Sequence, residues 1–134
     1  MAVVPAVDDL DTAGYFRAAA DGHLTVRRCT ACDAVLHVPV AYCRHCGGFE
    51  GRWAEVSPTG RIYSYTVVTH QVHPDFPVPY TVILVELDDL PEVRLVGRLD
   101  GRPDVFIGQP VVAEFAPLSD DAALPTWRLR ERRT

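Results

Sequence analysis

All four cysteines of this chain lie within eighteen residues, as C-T-A-C at 29–32 and C-R-H-C at 43–46, with ten residues between the pairs. A C-x-x-C pair folds readily into a tight knuckle that aims two sulfurs at one point. Two such knuckles facing each other make a tetrahedral cage of four thiolates. Zn²⁺ suits this cage, because it binds thiolate well and imposes no d-electron geometry. Gly47 supplies the backbone freedom the second knuckle needs. Asp33 stands where the first would often have glycine, and aspartate takes such a turn less easily. The intervening A-V-L-H-V-P-V-A-Y reads as a strand, a proline bend and a return. With Cys29, Cys32, Cys43 and Cys46 all serving as ligands, no coordination position stays open, and the site is expected to be structural. His37 and His45 lie nearby but are not needed. Iron in a rubredoxin-type site uses the same four ligands, so the residues leave zinc and iron both open. A redox dithiol explains one pair but not two so close together. Disulfides need an oxidising compartment.

The rest of the chain must hold that cage. It has 134 residues, 48% of them apolar, enough for one ordinary domain or two very small ones. No run approaches a membrane span, and residues 1–11 do not read as a secretory signal, so a cytoplasmic protein with reduced thiols is expected. Thirteen basic residues, all arginine, stand against eighteen acidic ones for a formal charge of −5. That balance speaks against a nucleic-acid grip, which uses a positive face.

Ahead of the cysteines, D-L-D-T-A-G-Y-F-R-A-A-A-D-G-H-L reads as a short helix with Asp11 as N-cap and Gly22 as its stop. Its side bearing Tyr15, Phe16, Ala19 and Ala20 must dock on its own domain or on another chain, since so short a helix is marginal alone. After the cysteines the period turns to two. Strands are expected at 60–69, 80–87, 93–99, 110–115 and 126–130, with turn residues between them. Five short strands behind a small metal module suggest an OB-fold barrel whose usual helix is missing, because residues 101–110 leave room only for a turn. The loop at 70–79 carries His70, His73, Asp75 and Phe76 among three prolines. It reads either as a partner contact or as a plain solvated connection. The domain division expected is a helical arm at 1–22, a zinc ribbon at 23–52 and an OB-fold at 53–134, a mainly β protein.

Catalytic machinery is not evident. Ser57, Ser64 and Ser119 sit in no Gly-x-Ser-x-Gly elbow, no glycine-rich phosphate loop occurs, and the thiols are committed to metal. Large apolar anchors (Tyr15, Phe16 and Phe76) are the residue kinds that dominate interfaces, and arginines such as Arg28 suit anionic groups, phosphates above all, because the guanidinium offers several fixed donors.

Several stretches together resemble a known family. They are Y-F-R-A-A-A-D-G-H-L-T-V-R-R-C-T-A-C (15–32), V-P-V-A-Y-C-R-H-C-G (38–47), G-R-I-Y-S-Y-T-V-V (60–68), P-Y-T-V-I-L-V-E-L-D-D (79–89), R-L-V-G-R-L (94–99) and I-G-Q-P-V-V-A-E-F (107–115). In that order and spacing they are similar to the acyl-CoA-associated zinc-ribbon OB-fold proteins. The resemblance implies a rubredoxin-like zinc ribbon, structural zinc and no catalysis by the chain itself. It implies an accessory subunit for a thiolase-fold partner, joined in some members by a hot-dog-fold hydratase. The partner would act on an acyl-CoA by condensation, thiolysis, acyl transfer or cleavage of a steroid side chain. The small subunit would stabilise the complex, and would bridge subunits or line the acyl-CoA tunnel, with Tyr15, Phe16, Arg28 and Phe76 as the candidate partner or acyl-CoA contacts. Many members carry an arginine between the cysteine pairs where this chain has Val40, which puts that anion contact in doubt here. The alternative, a single-stranded nucleic-acid-binding OB module, rests on Tyr63 and Tyr65, which strand periodicity would put on one face for base stacking.

Overall fold

A computed structural model describes residues 8, 9 and 11–130. Among the described residues the chain is mainly β, with one short helix, α1 (Ala13–Ala20), and seven strands. Two compact units result. One holds residues 8–56 with Phe115–Leu124, and the other holds Ser57–Glu114 with 125–130.

In the first unit α1 begins one residue later than expected. Thr12, not Asp11, is the N-cap, and its side chain makes no capping bond. Asp9 starts the turn instead. Its carbonyl accepts from Ala13 N at 2.8 Å, and its Oδ1 accepts from Asp11 N at 2.8 Å. The helix closes through His23 N donating to Ala18 O at 2.9 Å and Gly22 N donating to Ala19 O at 3.0 Å, the paired bonds of a Schellman stop.

The helix rests on a two-stranded ladder. β1 (Leu24–Cys29) pairs antiparallel with β2 (Gly51–Val56) in the register Leu24↔Val56 through Cys29↔Gly51. Here the strand expected between the cysteine pairs is corrected. Residues 34–49 form no strand beyond a single bridge from Arg28 to Val35, and the regular ladder flanks the cysteines instead. Pro39 has no N–H to give a ladder, and the two cysteine turns take up the backbone bonds at either end of the segment.

Tyr15 packs edge-on against Phe16 at 5.2 Å between ring centroids, and reaches Trp53 of β2 at 6.5 Å. Burial pushes the Tyr15 phenol up to about 12. Gly14 lies under the same indole, where an added Cβ would come within 2.0 Å of Trp53 Nε1. Helix α1 thus packs on the β1–β2 ladder through Gly14 and Tyr15. Gly14→Ala is expected to weaken that docking, at about 1–3 kcal/mol for overpacking. Faster amide exchange in α1 than in the wild type would show it, and unchanged exchange there would count against the Trp53 contact as the anchor.

The second unit holds most of a five-stranded antiparallel sheet in the order β5 (Arg94–Asp100), β4 (Tyr80–Leu87), β3 (Thr59–Val68), β6 (Pro110–Pro117), β7 (Ala123–Leu129). This matches an OB-fold, and residues 101–109 connect β5 to β6 without a helix. β4 alternates strictly, with Thr81, Ile83, Val85 and Leu87 buried. Trp127 of β7 is 5% exposed and covers Gly97 of β5 so closely that a Cβ there would lie 2.2 Å from the indole. Glycine is required because the ring occupies that space.

A bulge interrupts β3. Ile62 faces Val85, yet Ser64 faces Leu84 and Tyr65 faces Ile83, so Tyr63 is the extra residue. Opposite residues of an antiparallel pair share a face, and an inserted residue reverses the parity beyond it. Tyr65 therefore sits on the side of buried Ile83, whereas Tyr63 lies beneath the Arg94 guanidinium at 3.8 Å. The shared stacking face expected for the two tyrosines is not formed.

The turn after β4 is tied to the start of β3. Ser57 N donates to Asp89 Oδ2 at 2.8 Å and holds that carboxyl below its usual range. A depressed carboxylate stabilises the fold above its unfolded pKa and loses that contribution as pH falls. Asp89→Asn should thus be less stable than the wild type at neutral pH, and the gap should close below about pH 4. Thermal melts at the two pH values check this.

Candidate metal centre

The two knuckles are built alike. In the first, Cys29 N donates to Ala34 O at 2.9 Å and Asp33 N donates to Cys29 O at 2.9 Å. In the second, Cys43 N donates to Gly48 O at 2.8 Å and Gly47 N donates to Cys43 O at 2.9 Å. The fifth residue of each turn is left-handed, Asp33 at φ 63° and Gly47 at φ 78°. Aspartate is among the few side chains that visit this region, so the expected difficulty at Asp33 does not prevent the turn.

The turns bring all four sulfurs within 4.8 Å of one another. Two approaches cross between the knuckles, Cys29 Sγ to Cys46 Sγ and Cys32 Sγ to Cys43 Sγ, each at 3.6 Å. A tetrahedron with Zn–S bonds near 2.3 Å has edges of about 3.8 Å, so the donor set fits such an ion. A disulfide would need about 2.05 Å, and all four cysteines are free. Cys29 and Cys43 are buried, whereas Cys32 and Cys46 are exposed.

Sulfurs this close share protons. Although the Ala34 N–H lowers it, Cys32 is pushed up to about 12 by desolvation and by the sulfurs of Cys43, Cys46 and Cys29. Desolvation raises Cys43, yet the N–H groups of Cys46 and His45 and the sulfurs of Cys32 and Cys46 bring it down to about 6. His45 N lies 3.3 Å from Cys43 Sγ. Four thiolates this close repel one another, so a full set calls for a cation.

Around the cage, Asp33 joins two arginines. Arg52 Nη2 donates to Asp33 Oδ1 at 2.6 Å, and Arg28 Nη1 donates to Asp33 O at 2.9 Å, 3.6 Å from Oδ2. Arg28, expected to meet acyl-CoA phosphate, is thus engaged by Asp33. Phe76 is not a free tip. It is half-buried, with His73 at 5.8 Å, Tyr80 at 6.5 Å and the Arg98 guanidinium at 5.4 Å. His73 Nδ1 accepts from Asp75 N at 3.1 Å. Tyr15 and Phe76 thus each meet a ring of their own unit, whereas Phe16 meets only Tyr15 of the same helix among the ring contacts described.

Exposed apolar groups lie elsewhere on the ribbon, at Val38, Tyr42 and above all Phe49, which is 81% exposed. Tyr42 and Phe49 line one shallow depression with Arg27 and Val40. Sequence reasoning passed over them. The available signal was three large apolar residues beside the second cysteine pair, in a ribbon too small to have an interior for them.

Two family models match: "ChsH2, rubredoxin-like zinc ribbon domain" over residues 16–50 and "ChsH2, C-terminal OB-fold domain" over residues 53–116. A "DUF35 domain-containing scaffold protein" of Methanocaldococcus jannaschii is 32% identical over 70% of this chain and 68% of its own length. The chain belongs to the DUF35 family. A solved DUF35 structure titled "Ltp2-ChsH2(DUF35) aldolase" superimposes with a TM-score of 0.82 at 39% identity, covering 94% of this chain and 98% of the other. A "Probable enoyl-CoA hydratase alpha subunit" of Thermomonospora curvata is 42% identical over 88% of this chain, which spans only 37% of that relative. A DUF35 protein of unknown function from Sulfolobus solfataricus shares the fold, with a TM-score of 0.56 at 17% identity. Among the described residues no helix is long and apolar enough to cross a membrane.

Proposed function

We propose that this DUF35 chain is a non-catalytic accessory subunit of an acyl-CoA enzyme, with a thiolase-fold protein as its partner. Cys29, Cys32, Cys43 and Cys46 hold a structural zinc ion, and the working division remains an arm at 1–22, a ribbon at 23–52 and an OB-fold at 53–134. The observation that carries the reading is the near-full-length likeness to a chain titled as part of an aldolase. A relative named a scaffold protein and one named a hydratase alpha subunit support it. The metal assignment rests on the 3.6 Å sulfur contacts across the knuckles. Zinc chemistry there would be confined to holding shape, since four protein ligands fill a tetrahedral ion.

Affinity capture of the tagged chain from its native cells, followed by mass spectrometry, tests the partner. An acyl-CoA enzyme should be recovered, and acyl-CoA turnover should appear with that enzyme and not with the isolated chain. Turnover by the chain alone, or recovery of nucleic acid without such an enzyme, would overturn the proposal.

A further inference from the structure

We infer that Asp33 is a positioning residue for the metal cage: its carboxylate fastens the first knuckle to the β1–β2 ladder and so slows loss of the metal. This rests on the assignment of the four cysteines as ligands. The two knuckles share their two closing backbone bonds and differ in the residue at the left-handed corner. The second puts Gly47 at the left-handed position, and the first puts a residue with a charged side chain there. Glycine would take that backbone more easily. What aspartate adds is a bridge to two strands at once.

The ladder supplies the reason for the bridge. Arg28 and Arg52 are directly opposite each other in the β1–β2 register. Like charges opposed across a ladder repel. Asp33 reaches Arg52 Nη2 at 2.6 Å with one carboxylate oxygen and lies 3.6 Å from Arg28 Nη1 with the other. The same Arg28 nitrogen donates to the Asp33 carbonyl at 2.9 Å. One carboxylate thus turns a repulsive pair into a bridged triad and pins the corner next to Cys32. Cys32 is one of the two exposed sulfurs, and on the first knuckle it is the ligand an incoming chelator meets. For it to swing away, the turn carrying Asp33 must open, and that breaks the bridge.

The test is the rate at which zinc passes from the purified full-length chain to a chromophoric chelator, for wild type, D33N, D33G and the double variant D33N/R52Q. The Co(II)-loaded proteins give the spectrum of the site. D33N should release zinc about three- to fivefold faster than wild type, the range of an exposed but shared ion pair. Its Co(II) spectrum should remain that of a tetrathiolate. The difference should shrink at about 1 M salt, where screening acts within ~3 Å. D33N/R52Q should release more slowly than D33N, because the opposed charge is gone. D33G separates charge from backbone. Release as slow as wild type from D33G would show that only the turn matters and would overturn the inference. So would a D33N rate equal to wild type, or a D33N/R52Q rate no slower than D33N. A wild-type chain that binds no tetrathiolate metal at all would instead overturn the ligand assignment itself.

Discussion

Cys43→Ser is expected to yield a chain with less than about a tenth of the wild-type metal content and an unfolded ribbon. Cys43 is 1% exposed, and the apolar cluster around it consists of Cys29, Leu36 and Cys43 with Ala34 packed against them. So few side chains cannot offset the entropy of ordering the ribbon's turns. Structural zinc in small ribbons supplies on the order of 10–16 kcal/mol at neutral pH, far more than that cluster can. Serine keeps the shape but gives a harder and much less acidic donor, so the affinity of the whole set collapses. Elemental analysis of the purified variant, with near-ultraviolet circular dichroism, checks the outcome. A Cys43→Ser chain that keeps one metal per chain and a native spectrum would remove the cage from its structural role. Chelator treatment of the wild type should reproduce the loss, and returned Zn²⁺ should reverse it.

Trp127→Ala carries the second large effect, in the other unit. The indole is 5% exposed and fills the space above Gly97. Its removal leaves a cavity worth about 3–5 kcal/mol. Gly97→Ala attacks the same contact from the other side, at about 1–3 kcal/mol of overpacking. The two changes should not add. Once the ring is gone, a methyl at position 97 meets open space, so the double variant should be no less stable than Trp127→Ala alone. Chemical denaturation of the three proteins measures this, and strict additivity would show that the two residues do not share one contact. Metal content should stay at the wild-type level in Trp127→Ala while it remains folded, which separates this lesion from the cysteine one.

The strands of the second unit were legible because their hydrophobic pattern has period two and turn residues bracket them. All five fall within a few residues of expectation. The cysteine cage was legible because spacing alone dictates which sulfurs can meet. What was not legible depends on pairing across the chain. β1 contains three charged or hydroxyl residues in six and has little alternation to read, and it becomes a strand only because β2 lies beside it. The start of α1 turned on Asp9 carbonyl geometry that no capping rule reads from Asp11. The bulge at Tyr63 carries no glycine, so the alternation of Tyr63 and Tyr65 gave no warning that parity would flip. The own-chain neighbours of Tyr15 and Phe76 were hidden for the same reason, since nothing in the sequence marks Trp53 or Tyr80 as the ring beside them.

The ribbon hides Leu36 and two cysteines while Phe49, Val38 and Tyr42 remain outside. Grease worn on the surface has a practical cost at the bench: made by itself at high concentration, such a chain will adhere to its own copies and to column resin. Light scattering of the lone polypeptide should therefore rise with concentration, and a Phe49→Ser substitution should calm it without disturbing the thiolate cage.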